Sequence, residues 1–299
     1  MSPDPLAREA PEDRATLMCG HIDLHLHTTA SDGSLTPTEL VGEAAARGLT
    51  LLGVTDHDTT EGVEEAVAAG RGYGLRVIPG VELAADSATR DIHLLGYFIK
   101  WEDPDLQSAL AQLREQREVR NARILRKLQD LHLPVDMARL KAISGSGSMG
   151  RPHIAAAMVE AGHAASQSEA FRRYLGRGRS AFVSRARLKP EEACRIIAAA
   201  GGLAVLAHAA KVGSWEVIRQ VVAGGAAGLE VFHSDHSPEE VASLLSLARD
   251  QSLLVTGGTD SHGPRSDRPT PIGSVEIPAW VGEAFLARAP EWWRERFSP

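Results

Sequence analysis

From Ile22 onward the chain alternates short apolar, β-branched runs with longer stretches of helical periodicity, the pattern of repeated strand–helix units and a parallel sheet. Seven runs have strand character: Ile22 to His25, Leu51 to Asp56, Arg76 to Glu82, Ile92 to Ile99, Leu203 to His208, Leu229 to His233 and Leu253 to Asp260. Each is short and apolar, as a strand covered on both faces must be. The helices between them carry start signals. Thr36-Pro37-Thr38-Glu39 and Ser237-Pro238-Glu239-Glu240 each offer an N-cap hydroxyl, a proline at the first helical position and an acid at the third, and Gly48 closes the first of these helices.

The alternation stops between about Asp103 and Arg187, where the pattern predicts one long helix through Arg126, several shorter ones and a Gly- and Ser-rich loop from Ser144 to Gly150. This divides the chain into a barrel in two parts, 20–102 and 188–299, with a helical insertion domain at 103–187. The long helix carries Arg114, Arg117, Arg120, Arg123 and Arg126. A three-residue step drifts around a helix, and Glu115 and Glu118 lie among the arginines, so the row is read as a solvated face rather than a substrate-binding one.

Composition narrows the classes. The 299 residues, 43% hydrophobic and 24% charged, suffice for one large α/β domain with a smaller insert. Apolar runs such as Gly201 to Ala210 are too short to span a bilayer, and the first residues lack a basic stretch followed by an apolar core, so a soluble cytoplasmic protein is expected. Cys19 and Cys194 suggest buried reduced thiols rather than a disulfide framework or a zinc knuckle. A net charge of −7 argues against a broad surface for long duplex nucleic acid. It leaves room for a small anionic substrate, because bound divalent ions can make one site locally positive.

Candidate chemistry gathers at the ends of the predicted strands. Asp23-Leu24-His25-Leu26-His27 puts two imidazoles at i and i+2 on one face of a strand, about 7 Å apart, a spacing that one or two metal ions can bridge. The other strand ends read Asp56 and His57, Glu82, His208, and Asp260 with His262. In a β/α barrel functional residues lie at that end of the strands, and several independent strands would have to end in metal-capable residues by accident for the set to be structural.

These motifs resemble the PHP superfamily, named for polymerase and histidinol phosphatase. Asp23-x-His25-x-His27, Thr55-Asp56-His57, Glu82 with downstream His93, the lone His208 and Asp260-Ser261-His262 match its pattern in order, from about Gly20 to Pro271. The stretch from His27 to Leu40, followed by Val54 to Thr59 and the helical insert, is similar to the subgroup that hydrolyses phosphate from nucleotides and short oligonucleotides. The resemblance implies a distorted seven-stranded parallel β/α barrel, TIM-like, with two or three divalent ions of manganese, zinc or iron and hydrolysis by metal-bound hydroxide. It implies that His25, His27, Glu82 and Asp260 hold the first ion, that Glu82 bridges to a second held by His93 and His208, and that Asp32, His57 and His262 hold a third. His93 is the weakest geometric fit, since it begins its run instead of ending it. Asp32 stands where other branches use a histidine, a change that either weakens the third site or favours a harder metal such as manganese.

Around these ligands, Asp23 and Asp56 are read as acceptors that orient ligand imidazoles, with N-cap or turn roles as alternatives. Arg151, at the start of a Pro-opened helix, Arg177, Arg179 and Lys211 are candidate phosphate cations, and His233 and His236 candidate substrate contacts. The subgroup often carries a proline and an arginine after the lone histidine, whereas this chain has Ala209-Ala210-Lys211. The expected substrates are nucleoside 3′,5′-bisphosphates and short 5′-phosphorylated oligonucleotides, without a membrane partner. Histidinol-phosphate phosphatase and a non-catalytic, metal-stabilised PHP module are the alternatives. An amidohydrolase-like barrel would want a bridging lysine at a strand end, and none is present.

Overall fold

A computed structural model describes residues 21–87, 90–144, 147–184, 188–266 and 269–297. Cys19, Gly20 and Arg187, and part of the expected 144–150 loop, lie outside them. The strands are β1 (His21–Leu26), β2 (Leu49–Val54), β3 (Arg76–Asp86), β4 (Asp91–Tyr97), β5 (Leu203–Leu206), β6 (Gly228–His233) and β7 (Leu254–Gly258), and they form one sheet in chain order. A bridge from Leu26 to Ser261, with the His27 amide donating to the Ser261 carbonyl at 3.0 Å, brings the last edge back to β1 and nearly closes a barrel. All seven runs are strands, as the alternation indicated.

One departs from the expected direction. β1, β2 and β3 are mutually parallel, as are β5, β6 and β7, but β4 is antiparallel to both neighbours. The cause is local: only residues 87–90 separate β3 from β4, too few for the crossover a parallel pair requires. β3 also continues four residues past Glu82, so the β3–β4 hairpin stands above the barrel mouth.

The helices are α1 (Pro37–Ala46), α2 (Val63–Tyr73), α3 (Pro104–Asp130), α4 (Met137–Ser144), α5 (Arg151–Glu160), α6 (Gln167–Ala170), α7 (Pro190–Ala199), α8 (Trp215–Ala223), α9 (Pro238–Asp250), α10 (Ala279–Ala287) and α11 (Glu291–Phe297). Both expected capping boxes form: the Thr36 and Ser237 hydroxyls accept from the amides of Glu39 and Glu240, whose carboxylates bond back to the cap amides. Gly48 follows the end of α1 with φ of 76°, a left-handed position that glycine takes without strain. No described helix is long and apolar enough to cross a membrane.

The apolar core runs between barrel and helices through Leu24, Ile78, Val81, Leu94, Val205 and Leu229. Cys194 is a buried free thiol in it. A separate cluster of Ile124, Leu128, Leu140, Ile154, Met158 and Leu175 holds α3 to α5 and the turn after α6 together. Those helices meet the barrel tightly. The Ser148 amide donates to the Ala30 carbonyl at 3.0 Å, and a Cβ on Gly147 would stand 2.6 Å from the Ser31 carbonyl oxygen.

Closure of the barrel depends on how near β7 comes to β1. A Cβ at Gly258 would lie 2.4 Å from the Cβ of His25 and 2.6 Å from its amide nitrogen, backbone and rigid atoms that have nowhere to move. Gly258→Ala is expected to cost about 1–3 kcal/mol of stability, read as a lower urea midpoint. An unchanged midpoint would contradict this account of closure.

Candidate metal centre

The open end of the barrel gathers imidazoles and carboxylates from all seven strands and their loops. Parallel pairing continues beyond β2: the Glu82 amide donates to the Asp56 carbonyl and the Asp58 amide to the Glu82 carbonyl, at 3.1 and 3.0 Å, which sets His57 beside Glu82. The antiparallel course of β4 resolves the doubt over His93. Because that strand runs the other way, its beginning lies where the others end, and His93 Nδ1 is 2.7 Å from Glu82 Oε1.

Glu82 is the hub. Its Oε2 lies 3.4, 3.2 and 3.0 Å from His25 Nε2, His27 Nε2 and His57 Nδ1, and its Oε1 3.4 Å from His208 Nε2. Asp260 Oδ1 is 3.4 and 3.1 Å from the Nε2 atoms of His25 and His27. Asp32 lies 3.3 Å from His262 and 3.8 Å from both His27 and His57. Two tight sets of four result, His25, His27, Glu82 and Asp260, and His27, Asp32, His57 and His262, with His57, Glu82 and His93 as a third group. Each set could hold a metal ion. His208 and Asp260 adopt left-handed backbone, φ of 31° and 53°, a strain typical of functional positions.

Many of these atoms are buried without a hydrogen-bond partner: His25 Nε2, both His27 nitrogens, both Asp32 oxygens, His57 Nδ1 and Glu82 Oε2. Buried polar atoms are ordinarily satisfied, so convergent lone pairs left open ask for a cation.

A fourth carboxylate escaped the sequence reading. Glu230 is fully buried in β6 and lies 3.0 and 3.2 Å from His25 Nδ1 through its two oxygens, and it accepts from the His208 amide at 2.5 Å. It thereby holds the proton on His25 Nδ1 and leaves Nε2 facing Glu82 and Asp260. The signal was a lone acid inside an apolar run covered on both faces, which is costly unless paired. That role had been expected of Asp23 and Asp56, and neither touches an imidazole. Asp23 accepts from the Thr259 amide and hydroxyl and the Gly273 amide, tying β1 to β7. Asp56 accepts from the Thr28 amide and hydroxyl and from Ser31. Burial pushes both carboxyls upward against these bonds.

A cavity of about 830 Å³ opens above the cluster, with Asp32, His233, Asp260 and His262 in its floor and Arg139, Pro152, His153 and Phe171 in the wall facing them. Lys211 lines it, paired to Asp235 at 2.7 Å, and so does Arg265, which sequence reasoning had not singled out. His233 is at the floor with Nδ1 accepting from the Asp235 amide, which puts its proton on Nε2. The other candidates lie elsewhere. Arg151 pairs with Asp91 at 3.2 Å and stacks on Phe171. Arg177 pairs with Asp86 and Asp91 at 2.8 and 2.9 Å. Both clamp the helical segment to the β3–β4 hairpin, and neither is in the cavity wall, nor is exposed Arg179. His236 spends Nδ1 on the Val231 carbonyl and Nε2 on the Ala210 amide.

The arginine row is not the solvated face expected over its first half. Arg117 ion-pairs with the buried Asp58 carboxylate, Arg114 donates to the Asp58 carbonyl and Arg120 to the Val183 carbonyl. Asp58 directly follows His57, so α3 braces the loop that presents that imidazole.

A nearly closed β/α barrel whose mouth concentrates unpaired imidazoles and carboxylates belongs to the class of metal-dependent hydrolases. The chain is a member of the PHP-domain family: the PHP domain model matches residues 23–175. The 5′-3′ exoribonuclease Rnm of Salmonella typhimurium is 36% identical over 249 residues, 81% of this chain and 85% of the relative. The 3′,5′-nucleoside bisphosphate phosphatase of Chromobacterium violaceum is 33% identical over 251 residues, 82% and 88% of the two chains. A solved chain from Bifidobacterium adolescentis, assigned as a metal-dependent phosphoesterase, superposes with a TM-score of 0.83 at 31% identity, covering 90% of this chain and 96% of that one. These relatives agree with the class expected from the motifs, a hydrolase of phosphate esters.

Electrostatics divide the imidazoles when no ion is bound. Burial pulls His27 down, but Asp260 and Glu82 outweigh it and raise it to about 10. Burial prevails at His57 and lowers it to about 3. Glu82 is held well below the carboxylate range: burial would raise it, and His57, His93 and His25 prevail. The raised His27 stabilises the metal-free fold fully below its unfolded value near 6.5, an effect lost as pH rises through about 10. The lowered His57 works against the fold as pH drops from 6.5 toward 3, where the unfolded chain takes up the proton more readily. In metal-free protein at pH 7.5, nitrogen-15 shifts should show His27 doubly protonated and His57 neutral. A neutral His27 at that pH would contradict this division.

Proposed function

We propose that this chain hydrolyses phosphate esters of small nucleotides, nucleoside 3′,5′-bisphosphates and short 5′-phosphorylated oligonucleotides, at a cluster of two or three divalent ions. The observation that carries the reading is the convergence of unpartnered, buried imidazole and carboxylate atoms on the cavity floor. A donor set of imidazole nitrogens and carboxylate oxygens suits manganese, zinc or iron. His25, His27, Glu82 and Asp260 would hold one ion, Glu82, His93 and His208 a second, and Asp32, His57 and His262 a third. The names of the nucleotide-acting relatives support the substrate class.

Divalent ions so held lower the pKa of water and neutralise charge on phosphoryl oxygens, the two needs of a reaction that is extremely slow in water. The protein's part is to place the substrate. Lys211 and Arg265 offer cations to the phosphate at the cavity wall. His233, with Nδ1 occupied, keeps an Nε2–H donor at the floor that does not depend on taking up a proton. Glu230 keeps the His25 lone pair inward. The helical domain 103–187 roofs the cavity through Arg139, His153 and Phe171, so it would exclude water and contact the nucleoside.

Removing divalent ions with a chelator is expected to abolish hydrolysis of a nucleoside 3′,5′-bisphosphate, and manganese or zinc to restore it. Full activity with verified absence of metal would overturn the reading. Ala at His25, Glu82 or Asp260 should each lower kcat by about 10²-fold or more, whereas Glu230→Gln should chiefly weaken metal affinity, by about 10–100-fold. Near-normal turnover in all three Ala variants would show the site to be misassigned. Much faster turnover of histidinol phosphate than of every nucleotide tested would favour the alternative substrate.

A further inference from the structure

We propose that the outer half of α3, with residues 182–184, forms a groove that carries the 3′-ward part of a single-stranded oligoribonucleotide whose 5′ end occupies the metal cavity. The proposal rests on the phosphoesterase reading of that cavity and adds a second, separate contact surface.

The argument starts from the helix. Arginines at three-residue steps fall back about 60° per step around an α-helix, so a row that begins against the barrel must turn outward as it proceeds. Arg114 and Arg117 bond Asp58 beside His57, Arg120 is buried against the Val183 carbonyl, and Arg123 and Arg126 are exposed. Arg123 and Arg126 lie about 9 and 14 Å further along the helix axis than Arg117, away from the loop that carries His57.

Arg123, Arg126 and Lys127 line one side of a groove of about 500 Å³ and Phe182 lines the other, with Asp130 the one acid in its wall among the described residues. Among the described residues neither Arg123 nor Arg126 has a carboxylate within ion-pair distance, while Arg47, Arg139 and Arg173 on other surfaces each do. In a chain of net charge −7 these cations are left available. Phe182 is half-buried, held by the guanidiniums of Arg120 and Arg177 at 5.9 and 5.7 Å from its ring centre. Beyond Arg126 a second hollow of about 230 Å³ is mainly apolar, lined by Leu125, Val135 and Met137. Cations for phosphates, an aromatic ring in the groove wall and an apolar hollow for a base suit single-stranded nucleic acid. An acidic protein surface would meet the cations and leave the ring and the hollow unused.

The test uses the metal-loaded enzyme and the variant R123A/R126A, whose residues touch neither the cavity nor the metal cluster. KM is measured for a nucleoside 3′,5′-bisphosphate and for a 5′-phosphorylated octauridylate, and binding of a 3′-fluorescein octauridylate with phosphorothioate linkages is followed by anisotropy against salt. The variant is expected to raise KM for the octamer about tenfold and leave that for the bisphosphate within twofold. Loss of two phosphate contacts should also reduce the slope of log affinity against log salt by about 1.4. Equal effects on both substrates, or an octamer bound as tightly and with the same salt slope by the variant, would overturn the groove, including in favour of an acidic protein as its occupant. If the wild-type enzyme turns over no nucleotide, the cavity reading fails and the anisotropy measurement still decides the groove.

Discussion

The structure depends on one buried carboxylate. Glu82 lies within 3.4 Å of five imidazoles, from His25, His27, His57, His93 and His208, and is 1% exposed. A carboxylate cannot stay charged in such a place without cations around it. Strand ends that otherwise share no chemistry are drawn together by that need. Protons on His25 and His27 meet it in part in the metal-free protein, and divalent ions would meet it more fully, since each can coordinate several of the open atoms at once.

The barrel and the helical segment are joined close to this carboxylate rather than far from it. Arg117 reaches from α3 to Asp58, whose amide donates to the Glu82 carbonyl and whose side chain accepts from the Ala84 amide. Arg151 and Arg177 hold the other side to Asp86 and Asp91. Arginines that resemble surface solubility, or phosphate capture, in sequence are therefore largely struts. The cations at the cavity wall are fewer, Lys211 beside Asp235 and Arg265 on the Ser34 carbonyl.

Periodicity and end signals made the seven strands and both capping boxes legible, because these are set by local chemistry. The direction of β4 was not, although the shortness of the link between Asp86 and Asp91 held the information: a hairpin cannot join parallel strands. Reading that link would have removed the objection to His93. Seven of the nine candidate ligands were legible as metal-capable residues at the ends of predicted runs, Asp32 and His93 came only with the resemblance, and the structure draws the nine to one mouth. Glu230 was missed because it sits within a strand, and its contacts with His25 on β1 and with the His208 amide arise only in the folded barrel. Arg151 is marked by its place at a Pro-opened helix and Arg177 and Arg179 by charge, and neither signal tells which carboxylate a long side chain will find.

The central claim is that the open atoms around Glu82 are ligands for metal ions. Anomalous diffraction from crystals grown with manganese tests it most directly. The account predicts peaks about 2.0–2.3 Å from His25 Nε2, His27 Nε2, Glu82 and Asp260, with at least one further peak beside Asp32 or His93. Crystals with ample manganese but no peak among these residues, their imidazoles and carboxylates instead hydrogen-bonded directly to one another, would contradict it.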